Sequence, residues 1–151
     1  MESKQIIISG SFQDTYDLGV MLANNIKRGK YGHRRVVCLS GILGSGKTVL
    51  VKGFLEGFGV SSRILSPTFT ISRMYETQNR ILWHYDLYRM KDASEVIVIG
   101  IKEVLSDEKT IVLIEWAEKI QELLPPMRID IHLEVIGDSS RKIEVHILGN
   151  I

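Results

Sequence analysis

The residues with the most evident chemistry are GILGSGKT, residues 41–48, set directly after the apolar run VVCLS at residues 36–40. They fit G-x-x-x-x-G-K-[ST] without a gap. Gly41, Gly44 and Gly46 let the backbone curl so that successive N–H groups point inward at phosphate oxygens. A helix starting near Lys47 adds the positive end of its dipole. The Lys47 ammonium can reach the β- and γ-phosphates, and the Thr48 hydroxyl can ligate Mg2+. This stretch therefore predicts binding of a nucleoside triphosphate with its metal ion.

Hydrolysis needs more than a cradle. The metal and its waters want carboxylates, and the attacking water must be oriented. Two apolar runs end on a carboxylate: ILWHYD at Asp86 and TIVLIE at Glu115. Glu115 stands where a Walker-B acid belongs, reaching the metal directly or through water. Asp86 is the second candidate, as a ligand of metal-bound water or as the group that orients the nucleophile. Its bland alternative is a turn cap or a partner of Arg89. His84 shares the Asp86 face by strand alternation and reads as a satisfied core histidine. Cys38, inside an apolar run, reads as core.

These groups need elements to hold them. Residues 5–9 (QIIIS) form a short expected strand, and Ser11 with Asp14 makes a capping box before a helical pattern of Leu18, Met21, Leu22 and Ile26 that Gly29 closes. Residues 35–40 contain the continuous β-branched and apolar run VVCL, the mark of a strand buried on both faces. Leu50, Val51, Phe54, Leu55 and Phe58 fall at helical spacing, and Gly57 and Gly59 stop that helix. After the strand at residues 81–86, Asp92 and Glu95 have cap spacing for a helix that turns Val96, Ile99 and Leu105 inward. Residues 110–115 form another buried strand. Beyond Pro125 and Pro126, alternating strands at residues 129–135 and 142–148 flank a turn of Gly137, Asp138, Ser139 and Ser140.

Strands alternating with helices predict an α/β fold of the P-loop NTPase-like kind. Its sheet is mostly parallel and flanked by helices, with a C-terminal antiparallel β-hairpin at one edge. In such sheets ligands sit at the carboxyl ends of the strands, where Gly41, Asp86 and Glu115 all fall. At 151 residues and 44% apolar composition, the expectation is one domain spanning residues 1–151. No apolar run approaches the roughly 18–20 residues needed to span a bilayer, and the N-terminal residues lack the apolar stretch of a secretory signal. A cytoplasmic protein without a membrane partner is expected. One cysteine excludes an internal disulfide and argues against a cysteine-based metal site. A net charge of +1 gives no electrostatic argument for nucleic acid. The cluster of Lys27, Arg28, Lys30, Arg34 and Arg35 reads as a solvated helix end, partly favoured by the helix dipole.

SPTFT at residues 66–70, HYDLYR at residues 84–89 and IEW at residues 114–116 follow the glycine loop in that order. Together these motifs resemble the TsaE family, the small ATPase of the bacterial machinery that makes threonylcarbamoyladenosine in tRNA. The resemblance runs from about residue 18 to residue 125. It implies a single P-loop domain that binds ATP and Mg2+, hydrolyses ATP slowly alone, docks on a TsaB–TsaD pair and resets that complex between turnovers. The sequence leaves open whether contact with tRNA is direct or passes through these partners. The implied nucleotide contacts are Gly41, Gly44, Ser45, Gly46, Lys47, Thr48 and Val49, with Arg141 of the final hairpin. Lys47, Asp86 and Glu115 are the implied catalytic groups, and Thr48 and Glu115 the implied metal ligands. Thr68 and Thr70 fall in an implied nucleotide-sensing loop, and Trp116 is either packed or tied to the nucleotide state.

Two positions depart from the family pattern. Ile42 stands where the family usually has Asp, and Val49 where it usually has a second hydroxyl residue. The backbone cradle depends on neither side chain, but the missing hydroxyl removes one hydrogen bond to nucleotide, on the order of 1 kcal/mol. Two other functions share this front end. A small P-loop kinase would need an acceptor pocket and usually a basic lid, and no Arg-rich segment follows Glu115. A binding module would use ATP only to select a conformation, with hydrolysis incidental. The N-K-x-D signature for guanine is absent, which favours adenine.

Overall fold

The computed structural model describes residues 2–67 and 70–149. In chain order its elements are β1 (Ser3–Ser9), α1 (Phe12–Lys27), β2 (Val36–Ser40), α2 (Lys47–Gly57), β3 (Ser72–Glu76) and β4 (Ile81–Asp86). There follow α3 (Ala93–Val98), α4 (Ile101–Ser106), β5 (Thr110–Glu115), a 3-10 helix (Ala117–Leu123), β6 (Arg128–Val135) and β7 (Arg141–Leu148). The strands described form one sheet in the order β1-β7-β6-β2-β5-β4-β3. β6, β2, β5 and β4 run parallel to one another, while β7, β1 and β3 are antiparallel to their neighbours. The expected α/β sheet with C-terminal antiparallel strands is therefore present. The hairpin of β6 and β7 lies one strand in from the edge, because β1 pairs outside β7 along its whole length.

Alternation along β2 and β5 explains why these runs are apolar at every position. Val37, Leu39, Ile111 and Leu113 face one core with α1 and α2, where they meet Leu22, Leu50 and Phe54. Val36, Cys38, Val112 and Ile114 face the other, against Val96, Ile101 and Ile120. Each fully buried aliphatic or phenyl side chain contributes about 1.5–3 kcal/mol over its exposed state, so both faces hold the central strands in place. α1 starts as its capping residues predict: the Asp14 N–H donates to Ser11 Oγ at 3.0 Å, and the Gly10 N–H to Asp14 Oδ2 at 3.0 Å.

Two local expectations need correction. The single helix expected after Asp92 is two short ones, broken at Gly100, whose φ of +87 is left-handed. Asp92 does cap the first of them, accepting from the Glu95 N–H at 3.2 Å. The break rotates the inward face, so Ile101 is fully buried while Ile99 is 37% exposed. The second difference is β3, an edge strand that no apolar run announces. Its residues SRMYE bury Tyr75 alone.

Candidate functional site

β2, β4 and β5 end together. In the parallel ladder Asp86 is opposite Glu115, and Leu39 of β2 is opposite Glu115 on its other side. This register brings both carboxylates to the point where β2 runs into the glycine loop. Gly41 has φ +140, and a Cβ there would lie 2.5 Å from the Leu133 carbonyl oxygen and 2.7 Å from Ser45 Oγ. No other residue fits at that position. Gly46, at φ +103, precedes α2 without any side-chain cap. The first N–H groups of α2 thus have no intrahelical acceptor and are open to an anion. Residues 43–49, Asp86, Glu115, Phe12, Tyr88 and Trp116 line one cleft of about 240 Å³.

Inside it Lys47 is folded back on its own loop. Its Nζ donates to the carbonyls of Gly41 at 2.6 Å and Ile42 at 3.0 Å, with Ser45 Oγ at 3.4 Å. The same ammonium lies 4.6 Å from the centre of the Trp116 ring, a cation–π distance. Burial pushes the Lys47 ammonium below its usual pKa, while the charges of Glu115, Glu118 and Asp86 oppose that shift. A phosphate entering the loop would offer Lys47 a better acceptor than two carbonyls.

Glu115 is 2% exposed and has both oxygens engaged. Thr48 Oγ1 donates to Oε1 at 3.3 Å, and His84 Nε2 lies 2.6 Å from Oε2. Asp86 is 7% exposed, and its Oδ1 accepts from the Tyr88 N–H at 3.1 Å. The turn-capping role weighed for Asp86 is therefore present, and the residue lines the cleft as well. Next to each carboxylate lies a non-glycine residue in the left-handed region. Ile71, at φ +70, accepts from the Asp86 N–H, and Trp116, at φ +61, directly follows Glu115. Such residues cost about 1–3 kcal/mol each and persist where the surroundings over-determine them. Trp116 is held by a tilted ring contact with Tyr88 at 5.2 Å and by its backbone N–H, which donates to the Leu39 carbonyl at 3.0 Å.

The other expected residues are distributed as follows. Val49 lines the cleft, and the Ile42 side chain is 66% exposed. Arg141 is 5% exposed behind the loop, where Nε donates to the Ser45 carbonyl at 3.0 Å and Nη2 to that of Gly44 at 3.3 Å. Its Nη1 donates to the carbonyls of Ser140 and Gly137, which ties the loop to the β6–β7 turn. Thr70 is exposed, with its hydroxyl on the Ser72 carbonyl at 3.3 Å. Thr68 lies outside the described residues. Sequence reasoning passed over Phe12, Leu43 and Tyr88 as cleft residues; its reading of His84 as a buried core histidine holds, but it missed the bond to Glu115. For His84 the signal was present: two residues before Asp86, it shares that carboxylate's face.

The donor set suits magnesium better than a transition metal. Among the described residues no three or more His, Cys, Asp or Glu side chains converge on one point. Thr48 and Glu115 supply one hydroxyl and one carboxylate, the sparse oxygen set on which magnesium is held together with phosphate oxygens.

Comparison with known proteins gives a concordant picture. The family model for "Threonylcarbamoyl adenosine biosynthesis protein TsaE" matches residues 9–143. A tRNA threonylcarbamoyladenosine biosynthesis protein TsaE from Rickettsia felis is 36% identical over 137 residues, covering 90% of this chain and 76% of that one. The protein of the same name from Bacillus subtilis is 42% identical over 115 residues, covering 76% and 71%. The crystal structure of Bacillus subtilis YdiB superposes with a TM-score of 0.77 at 31% identity, covering 99% of this chain and 89% of the other.

Proposed function

The chain belongs to the TsaE family of threonylcarbamoyladenosine biosynthesis, and on that premise we propose that it is a magnesium-dependent ATPase. In this reading it serves the threonylcarbamoyladenosine modification of tRNA, acting as a single domain in the cytoplasm on a TsaB–TsaD pair that it resets between turnovers. The observation that carries the reading is the junction of an uncapped helix N-terminus at Lys47 with Thr48 and Glu115, 3.3 Å apart. Among the described residues no helix is long and apolar enough to cross a membrane.

Within it each side chain has a task. Lys47 leaves the Gly41 and Ile42 carbonyls for the phosphates, and the N–H groups at the first turn of α2 face those phosphates. Thr48 and Glu115 would hold magnesium, whose charge would offset the negative charge developing on the phosphate oxygens. Asp86, at the end of β4 and lining the same cleft, orients the attacking water. Arg141 acts on the nucleotide by fixing the shape of the loop from behind. The segment through Thr68 and Thr70 changes state with the nucleotide and carries that change to the partner. Differential affinity of the partner for the two states is what would drive a reset.

The test is a pull-down with TsaB and TsaD in ATP, in ADP and without nucleotide, followed by multiple-turnover tRNA modification with Glu115→Ala. The expected outcome is nucleotide-dependent association and loss of multiple turnover in the variant. Full modification by a variant that no longer hydrolyses ATP would leave a nucleotide-gated binding module in place of an ATPase.

A further inference from the structure

Glu115 is held from two sides. Its Oε1 accepts from Thr48 on the cleft side, and its Oε2 meets His84 Nε2 at 2.6 Å, with the two side chains 1% and 3% exposed. Among the described residues His84 Nδ1 is buried with no hydrogen-bond partner. An ionised carboxylate can only accept, so Nε2 is the donating nitrogen of this contact. The bond is short because its acceptor is charged.

We propose that His84 is a positioning residue for magnesium: its Nε2–H locks one oxygen of Glu115 so that the other is presented at Thr48, where the metal would be held. This extends the magnesium-ATPase reading and rests on it. The sequence supplies the arrangement cheaply. His84 and Asp86 are two residues apart on β4, so both face the α2 side, and the parallel register sets Asp86 opposite Glu115. His84 therefore sits one step deeper in the sheet than the carboxylates, behind Glu115 as seen from the cleft. It does not line the cleft, so its effect on the reaction must pass through Glu115. Partners of this kind fix the orientation of a metal-binding side chain, and their removal typically costs 10- to 100-fold in metal affinity or activity.

The experiment compares His84→Gln with His84→Asn. The Gln amide nitrogen reaches the place of Nε2, whereas the Asn amide stops about one bond short. ATP binding is measured by calorimetry in EDTA and across a magnesium series, with a melting curve for each protein. The expected result is that the Asn variant needs at least about 10-fold more magnesium for half-maximal tightening of ATP. Its affinity in EDTA stays at the wild-type value, and the Gln variant stays within about threefold of wild type at every magnesium concentration. Equal loss with and without magnesium would mean a structural role alone and overturn the proposal. So would an Asn variant that matches wild type, or a Gln variant no better than Asn. Wild-type protein without magnesium-dependent ATP binding would instead bring down the ATPase reading itself.

Discussion

At the scale of single residues, Glu115 and Val49 separate binding from chemistry. Glu115→Gln preserves the shape of the side chain but removes its charge from the Thr48 hydroxyl and the metal position. Phosphate release should fall by at least about 100-fold, the order seen when one group stabilising a transition state is lost. ATP affinity in EDTA, set mainly by the loop N–H groups, should change by only a few-fold in calorimetry. Equal losses in both would place Glu115 in binding alone. Val49 tests the opposite property. It lines the cleft directly after Thr48, where a hydroxyl could donate to the nucleotide. Val49→Thr should tighten ATP by about 1 kcal/mol, roughly fivefold, in the same titration, with little change in turnover. His84 is the residue whose meaning changed most. Its type and position were legible, but its bond to Glu115 depends on the spacing of two adjacent strands.

At the scale of elements, the phosphate loop is only as well placed as α2, and α2 is set by α1. The two helices approach so closely that a Cβ at Gly53 would lie 2.0 Å from the Tyr16 carbonyl oxygen. One at Gly19 would lie 2.1 Å from that of Leu50. Backbone cannot yield as a flexible side chain does, so Gly53→Ala should force the helices apart. The expected cost is about 1–3 kcal/mol or more, read as a lower urea midpoint at unchanged slope. ATP affinity should drop with it, since Lys47 and Thr48 ride on the first turn of α2. An unchanged midpoint would mean that the helices are not packed this tightly. Element reading from sequence was uneven for physical reasons. β4 and β5 were found to the residue because strands buried on both faces are apolar throughout and end abruptly on a carboxylate. β3 escaped because an edge strand with one buried side chain carries almost no pattern. The helix after Asp92 was read as continuous because apolar spacing survives on paper across Gly100, although its left-handed backbone ends the first helix.

At the scale of the whole molecule, the two cores share the central strands, so neither should open without the other. Cys38 reports on this. It lies in β2 facing the second core, and burial raises its thiol well above the usual range, so almost no thiolate exists in the folded protein. Alkylation of Cys38 should be undetectable in native protein and should follow the global urea transition. Labelling well below the midpoint would reveal independent opening of the second core. The sequence by itself determined the α/β class, the phosphate loop and the two carboxylates at strand ends, because each rests on local periodicity or on contiguous residues. It also carried the family resemblance in SPTFT, HYDLYR and IEW. Tertiary structure alone decided that Thr48, Glu115 and His84 form one hydrogen-bonded line and that Lys47 rests on its own loop beside Trp116. It likewise decided that Arg141 grips the loop from behind. Those relations join residues as many as 97 positions apart. Strand order and register, which no local pattern encodes, bring them within hydrogen-bonding distance.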